Sequence, residues 1–365
     1  MIFFASIKGK VTNLYFYLCN CIEKKLNFLK VGCMKHCKNY SLKKHNTFGI
    51  DVQCADFYEY EHKSELLEMY EQGVFENRWI SVGEGSNLLF LGDLDYTVIH
   101  SVCQGCNIEK EGDTVLVRVA SGVVWDDFVH WSVERSFGGV ENLSLIFGLV
   151  GAAPVQNIGA YGVEACDVIL SVEVFDTQKG TFFEMPKSLC EFEYRGSIFK
   201  KNPHWIVVSV LFELTKKEHV YRLDYGNVRE QMHGKELSLD NVRQTIIEIR
   251  KSKLPLPSEM GSAGSFFKNP VVQESVYDDI KLRYEDVPFY RVEGGVKIPA
   301  AWLISQCGWK GKSVGMAGVY EKQPLILVNR GGATGAEVLN LMEEIQESVR
   351  TEFGILLSPE VCIIR

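Results

Sequence analysis

Ser265 has the most chemically suggestive surroundings in the chain. It lies in Gly261 to Pro270, GSAGSFFKNP, directly after a glycine, with Phe266 and Phe267 as apolar walls and Lys268 and Asn269 beyond them. Glycine lets a backbone adopt positive φ or pass close to a ligand, so the Ser265 hydroxyl is expected beside open, ligand-accessible backbone. The competing reading is an ordinary turn whose serine bonds its own backbone. Arg195, in Phe192 to Lys200 (FEYRGSIFK), is the first convincing charged candidate. Its planar fork suits two carboxylate oxygens, although a single arginine also fits a surface ion pair. Glu360, after Ser358 and Pro359, reads on its own as an exposed acid.

Two glycine-rich stretches address a different ligand. The apolar run Trp79 to Val82 leads into Gly83-Glu84-Gly85-Ser86-Asn87. A strand ending this way turns successive N–H groups toward one point, the requirement for an anion nest. No lysine or arginine lies in that loop, so the backbone and the Ser86 hydroxyl would hold the anion; a plain tight turn is the alternative. The second stretch, Gly148 to Gly162 (GLVGAAPVQNIGAYG), is too rich in glycine, alanine and proline for a packed helix or plain strand. It invites close approach by something flat or extended, or by a second backbone. Together the loops point to a dinucleotide across a seam. Neither has the GxGxxG opening of a helix that marks a Rossmann unit.

The elements that must position these residues follow from periodicity. HNTFGID reads as a turn entering a strand, and Ser64 as the cap of an amphipathic helix running toward Gly73. Leu88 to Leu91, Thr97 to His100 and Val115 to Val119 read as strands, with Gly122 ending the last and a short helix over Trp125 to Trp131. Ile206 to Leu214 is nearly all apolar, as a sheet interior requires. Asp240 is expected to cap a helix with Val242, Ile246 and Ile249 inward, ending before Lys253-Leu-Pro-Leu-Pro, a rigid linker. Beyond it, Ala300 to Cys307 predicts a helix and Leu325 to Val328 a strand. Thr334 and Glu337 predict a capping box for a helix to Phe353, closed by Gly354. Leu356 to Ile364 predicts a final strand interrupted by Ser358-Pro359-Glu360.

With 365 residues, two or three domains are expected. Hydrophobic content of 46%, charged content of 24% and a mean hydropathy of −0.03 describe a soluble globular protein. The net charge of −8 conceals +6 over residues 1–39, leaving −14 for the rest. An acidic body argues against wrapping nucleic acid. Eleven cysteines without a regular frame suit reduced thiols in a cytoplasm. Cys33-x3-Cys37 and Cys103-x2-Cys106 lack second half-sites, so no metal is expected. The apolar run Leu14 to Ile22 resembles a short signal core but is too short to span a bilayer. It holds Asn20 and is followed by lysines rather than a small-residue cleavage site, and no membrane partner is expected. Met34 is a more normal-looking start, so residues 1–33 read as an upstream extension.

In order along the chain, HNTFGID, GEGSNLLF, VGAAPVQNIGAYG, EYRGSIFK, IRKSKLP, GSAGSFFKNPVV, AAWLISQCGWKG and SPEV resemble the UDP-N-acetylenolpyruvoylglucosamine reductase family over about residues 40–365. The resemblance implies an α+β and α/β fold: a PCMH-type FAD-binding domain of two α/β subdomains over 40–217, then a connecting segment with a helix over 218–255. An α/β substrate-binding domain over 256–355 follows, and a terminal strand over 356–365 returns to the active site. Residues 1–39 would be a basic extension outside the fold. It implies a cytoplasmic, monomeric flavoenzyme with non-covalent FAD that uses NADPH to reduce an enolpyruvyl ether to a lactyl ether, giving UDP-N-acetylmuramate for peptidoglycan. Arg195 and Glu360 would bind and polarise the substrate carboxylate, and Ser265 would protonate the adjacent carbon. Flavin contacts would come from Gly83, Gly85, Ser86, Asn87, Gly122, Gly148, Gly151, Ala152, Ala153, Ile158 and Gly162. Tyr225, Arg250, Lys253, Asn269, Tyr290, Lys297 and Gln323 would bind the nucleotide substrate, with Tyr290 in a stretch like the tyrosine-bearing loop of one subtype.

The chain departs from the family pattern at Phe147 and Leu149, which replace a proline and a polar residue, at Gly196, which replaces an aspartate, and at Cys362, where arginine is common. Losing the proline is expected to weaken flavin retention. Two other classes remain at this point: another FAD oxidase or dehydrogenase of the same fold, and a non-catalytic nucleotide-binding homologue.

Overall fold

The computed structural model describes residues 34–365, and the three largest sheets among them carry the fold. The expected extension over 1–33, with Cys33, lies outside the described residues. The first sheet runs in the order Lys35–Ser41, Gln53–Tyr60, Leu94–Ser101, Trp79–Ser81. Gln53–Tyr60 and Trp79–Ser81 both pair parallel with Leu94–Ser101. Parallel neighbours need a crossover, and the helix Ser64–Glu71 lies in it. Residues 35–39 were expected outside the fold, yet they belong to the edge strand. His36 stacks on Tyr58 at 4.2 Å and its Nε2 lies 2.6 Å from Asp56 Oδ1, so these residues have partners that hold them. Ser64 does not cap its helix. It is the first helical residue, and Glu65 folds back to accept from the Glu61 and His62 N–H groups at 2.7 and 3.1 Å.

The second sheet is antiparallel throughout, in the order Thr181–Pro186, Ile169–Asp176, Trp205–Thr215, Thr114–Ala120, Cys106–Glu111. Trp205–Thr215 sits in its middle and is buried over most of its length, as the apolar run predicted. The helix Trp125–Glu134 covers one face, with Phe128 and Phe212 rings 4.6 Å apart. It runs three residues past Trp131 because Val133 still reaches the core.

The C-terminal part pairs Gly261–Ser265, Ile326–Asn329, Ala317–Val319 and Ser313–Val314 in that order, beside a small sheet of Val271–Val272, Gly295–Lys297 and Tyr290–Val292. Its longest helix, Gly335–Phe353, begins with the expected Thr334–Glu337 capping box and ends at Gly354. Phe48, Phe57 and Val98 of the N-terminal part share one core with Phe266, Phe267, Leu341 and Ile345. The five-stranded sheet keeps a separate core. The connecting helix Leu239–Lys253 is capped by Ser238, whose Oγ accepts from Asn241 N at 3.2 Å, not by Asp240. Asp240 already lies in the first turn, where its charge complements the helix dipole. Lys253 is the last helical residue. Only Cys362–Ile364 of the expected final strand is regular, pairing parallel with Leu88–Phe90. None of the described helices is long and apolar enough to cross a membrane.

Candidate active site

The chain end is clamped between two of the sequence motifs. The Glu360 N–H donates to Phe266 O at 2.8 Å and the Lys268 N–H to Ser358 O at 2.9 Å. On its other side, Cys362 N donates to Asn87 O at 2.9 Å and Asn87 Nδ2 to Glu360 O at 3.3 Å. Glu360 is therefore fixed by backbone bonds to both GSFFK and GEGSN, and its carboxylate is only 14% exposed. Gly261 to Ser265 is a strand rather than a turn, with its register broken between Ser262 and Ser265. Gly264 takes φ +69° in that break with open space where a Cβ would be, so Ser265 does follow an accessible backbone.

Arg195 meets Glu360 from the five-stranded part of the molecule. It occupies a tight turn closed by reciprocal Glu193 and Gly196 backbone bonds, at φ +57°, a conformation that disfavours residues with a Cβ. Gly196, in place of the family's aspartate, closes this turn. Arg195 Nε donates to Glu360 Oε1 at 2.8 Å and Nη2 to Gly159 O at 2.8 Å. These bonds orient the guanidinium and leave Nη1 for a ligand. Lys200 donates to Arg195 O at 2.9 Å and so restrains the strained turn. Burial holds the Lys200 ammonium below its usual value, and Lys268 and Arg195 act in the same sense against Cys362 and Glu360.

Arg195, Glu360, Ser265 and Arg250 line one cleft of about 180 Å³, with Ser86, Asn87 and Ile158. Burial depresses the Arg250 guanidinium from its ordinary value, while Tyr161 and Asp126 oppose the shift. Its Nε donates to Leu145 O at 3.3 Å.

A second cavity, about 330 Å³, adjoins the cleft. Gly83, Gly85, Ser86, Asn87, Gly148, Gly151 and Ala152 line it, so the two glycine loops do converge. Ser86 Oγ donates to Phe147 O at 2.8 Å, and Gly148 N donates to Glu84 Oε2 at 2.8 Å. The Ser86 proton is therefore spent on holding the loops together, not free for an anion. Gly85 sits at φ +61° where a Cβ would fall 2.2 Å from His45 O. Gly122, Ala153 and Gly162 do not line the cavity. Gly122 abuts the Cys103 backbone, Ala153 lies in the second core and Gly162 faces Tyr225; Ile158 serves the neighbouring cleft. At Gly122 a Cβ would fall 2.6 Å from Cys103 N, so that position has no room for a side chain.

Of the residues expected to bind the substrate nucleotide, only Arg250 lines the cleft. Asn269 Oδ1 accepts from Ala300 N at 2.9 Å, capping the helix Ala300–Gln306, and Gln323 Oε1 accepts from Leu325 N at 3.4 Å within its own turn. Tyr225 and Tyr290 are 60% and 64% exposed, and Lys253 is exposed. Lys297 pairs in register with Tyr290 and places Nζ 4.9 Å from the Tyr194 ring, which also carries Arg195 at 5.0 Å. Tyr194 and Lys200 stand in the same FEYRGSIFK segment as Arg195 but were not singled out. Gln156 was missed as well. It is one of three residues, with Ser86 and Asn87, that line both cavities.

Residues 256–364 match the family model described as UDP-N-acetylenolpyruvoylglucosamine reductase, C-terminal domain, and residues 65–185 match the FAD binding domain model. UDP-N-acetylenolpyruvoylglucosamine reductase of Bacteroides fragilis is 48% identical over 333 residues, which is 90% of this chain and 99% of that one. The chain belongs to the UDP-N-acetylenolpyruvoylglucosamine reductase family. The same-named protein of Pseudomonas aeruginosa is 43% identical over 91% of this chain and 99% of its own. The crystal structure of the reductase from Thermus caldophilus has the same fold, with a TM-score of 0.65 over 91% of this chain and 99% of that one at 24% identity. The family's FAD domain fits what the cavity offers: backbone-rich loops, and a Gln156 Nε2 that is buried without a hydrogen-bond partner. A buried donor left unpaired is costly, and a polar ligand in the cavity satisfies it. Among the described residues, no group of three or more His, Cys, Asp or Glu is placed to hold a metal ion.

Proposed function

We propose that this chain is an FAD-dependent reductase that converts the enolpyruvyl ether of UDP-N-acetylglucosamine to UDP-N-acetylmuramate for peptidoglycan, with NADPH as reductant. One observation carries this reading. Arg195, Glu360 and Ser265 share a cleft that joins the glycine-loop cavity through Ser86, Asn87 and Gln156.

Bound FAD, once reduced, supplies the hydride for the terminal alkene carbon. Everything else falls to side chains. Adding hydride there pushes negative charge toward the substrate carboxylate, and an enzyme must stabilise charge where it develops. Arg195, held at Nε by Glu360 and at Nη2 by Gly159, presents its remaining N–H groups to that carboxylate without reorganising. Arg250, largely removed from water, adds positive charge to the same cleft. Ser265 delivers its hydroxyl proton to the adjacent carbon, which completes the C–H bond, and solvent restores the hydroxyl. A serine is a poor acid in water, so this step requires a strongly basic carbon and close placement. The register break before Ser265 and the open space at Gly264 support such placement. Tyr225, Tyr290 and Lys297, which do not line the cleft, are assigned to the nucleotide end of a long substrate.

The test is anaerobic addition of NADPH to purified holoenzyme, followed by the enolpyruvyl substrate, with flavin absorbance recorded. Bleaching by NADPH and recovery on adding substrate are expected. Bleaching without recovery points to another flavin oxidoreductase, and protein that carries and binds no flavin sinks the reading.

A further inference from the structure

We propose that Gln156 is a flavin-binding residue, donating from its side-chain amide to a polar ring edge of FAD at the seam between the two cavities. The inference rests on the flavoenzyme reading above and adds a contact to it.

Gln156 is the last residue of the short helix Ala153–Gln156, and Asn157 follows in the left-handed conformation at φ +42°. The side chain of Asn157 is bonded to Glu164, Glu193 O and the Cys166 N–H, which fixes the end of that helix firmly. Gln156 is thus presented from rigid backbone, yet its Nε2 is buried without a partner while the residue borders both cavities. Leaving such a donor unpaired is costly, so its retention needs a compensating acceptor. Three carbonyls of the surrounding segments each already accept a side-chain hydrogen bond: Phe147 O from Ser86, Gly159 O from Arg195 and Val155 O from Ser197. A ligand in the cavity that Gln156 borders is placed to supply the acceptor. The larger cavity is walled on this side by Val155, Ala152 and Leu149, which suit a flat ring face, so the amide meets the edge of a ring rather than its face. A carboxamide also carries an acceptor, so a half-turn of its terminal bond lets it serve a ring nitrogen that gains a proton on reduction.

The test compares wild type, Gln156→Leu and Gln156→Glu as holoenzymes. Flavin release on dilution is read by fluorescence, the bound-flavin absorption spectrum is recorded, and thermal midpoints are taken with and without FAD. Gln156→Leu should weaken FAD retention about three- to tenfold, as expected for one lost hydrogen bond, and shift the flavin bands. Its flavin-free midpoint should be equal to or above that of wild type, because the variant no longer buries an unpaired donor. Gln156→Glu, close in shape but lacking the donor, should also release flavin faster. A lower flavin-free midpoint with unchanged FAD retention and spectrum would make Gln156 purely structural and overturn the proposal. Unchanged flavin properties with a raised KM for the enolpyruvyl substrate would assign the amide to substrate and overturn it as well. If Gln156→Leu does not fold, Gln156→Glu decides by the same flavin readings. Wild type that fails to bind FAD defeats the flavoenzyme reading, whereas normal wild-type binding with unaffected variants defeats only this one.

Discussion

The most informative single side chain is Ser265, because its loss separates two half-reactions. Ser265→Ala should leave bleaching by NADPH intact, since no proton from this hydroxyl is needed there. Recovery on adding substrate should slow by about 10²- to 10⁴-fold, the usual range for removing a positioned acid. Stopped-flow absorbance of the flavin measures both phases, and equal slowing of both would contradict the assignment. Glu360→Gln probes the neighbouring pair. It keeps an acceptor for Arg195 Nε but removes the charge that fixes the guanidinium. Substrate-dependent recovery should fall at least tenfold while FAD content stays at wild-type level. Ser265 was legible from its flanking glycine and phenylalanines. Arg195 and Glu360 are 165 residues apart, and only the family motifs linked them before the fold did. Gln156 and Lys200 were not legible, because an unpaired amide and a lysine bonded to a backbone carbonyl leave no pattern in sequence.

At the scale of elements, helices and strands were read well where periodicity was strong and poorly at their ends. Ser64 and Asp240 are residue types that favour N-caps, but the competing groups one or two positions away won. Glu65 reaches back over two N–H groups, and Ser238 has the extended backbone a cap needs. Ser238→Ala should therefore cost about 1 kcal/mol in denaturant unfolding, and Asp240→Ala clearly less. The glycine loops show a second limit. Both loops and their convergence were legible, but which of their small residues face a ligand depends on packing behind the chain. Gly85→Ala tests one that is fixed from behind. Its Cβ would collide with His45 O while the backbone remains at positive φ, so the loop must move. FAD should be lost from the purified variant, measured as the ratio of flavin to protein absorbance, with circular dichroism reporting a folded chain.

For the whole molecule, the decisive fact is that separately cored parts meet around the cleft, so stability and active-site geometry are linked through what crosses between elements. The best-defined crossing is Asp126 with Arg243, bonded twice at 2.7 and 2.9 Å between the helices Trp125–Glu134 and Leu239–Lys253. Asp126 also accepts from Leu145 N at 2.5 Å, and Leu145 O receives Arg250, which lines the cleft. This chain of contacts left no sign in the sequence, because Asp126 is 117 residues from Arg243 and Leu145 is 105 from Arg250, and each charged member looks like a surface charge on its own helix. Burial by itself raises the Asp126 carboxyl, but the Arg243 hydrogen bonds, the Leu145 N–H and the Arg243 charge outweigh it and hold it below the ordinary 3.8. A carboxyl with a depressed folded value contributes stability that is present above its unfolded value and is lost as pH falls through the folded one. Arg243→Met should therefore destabilise the protein at pH 7, by about 3 kcal/mol for a pair broken on one side, and this difference should shrink below pH 4 as Asp126 protonates. Urea unfolding at pH 7 and at pH 3 measures it. A stability difference that stays constant across that interval would show that Arg243 acts through packing and that its charge does not hold Leu145 and the cleft in place.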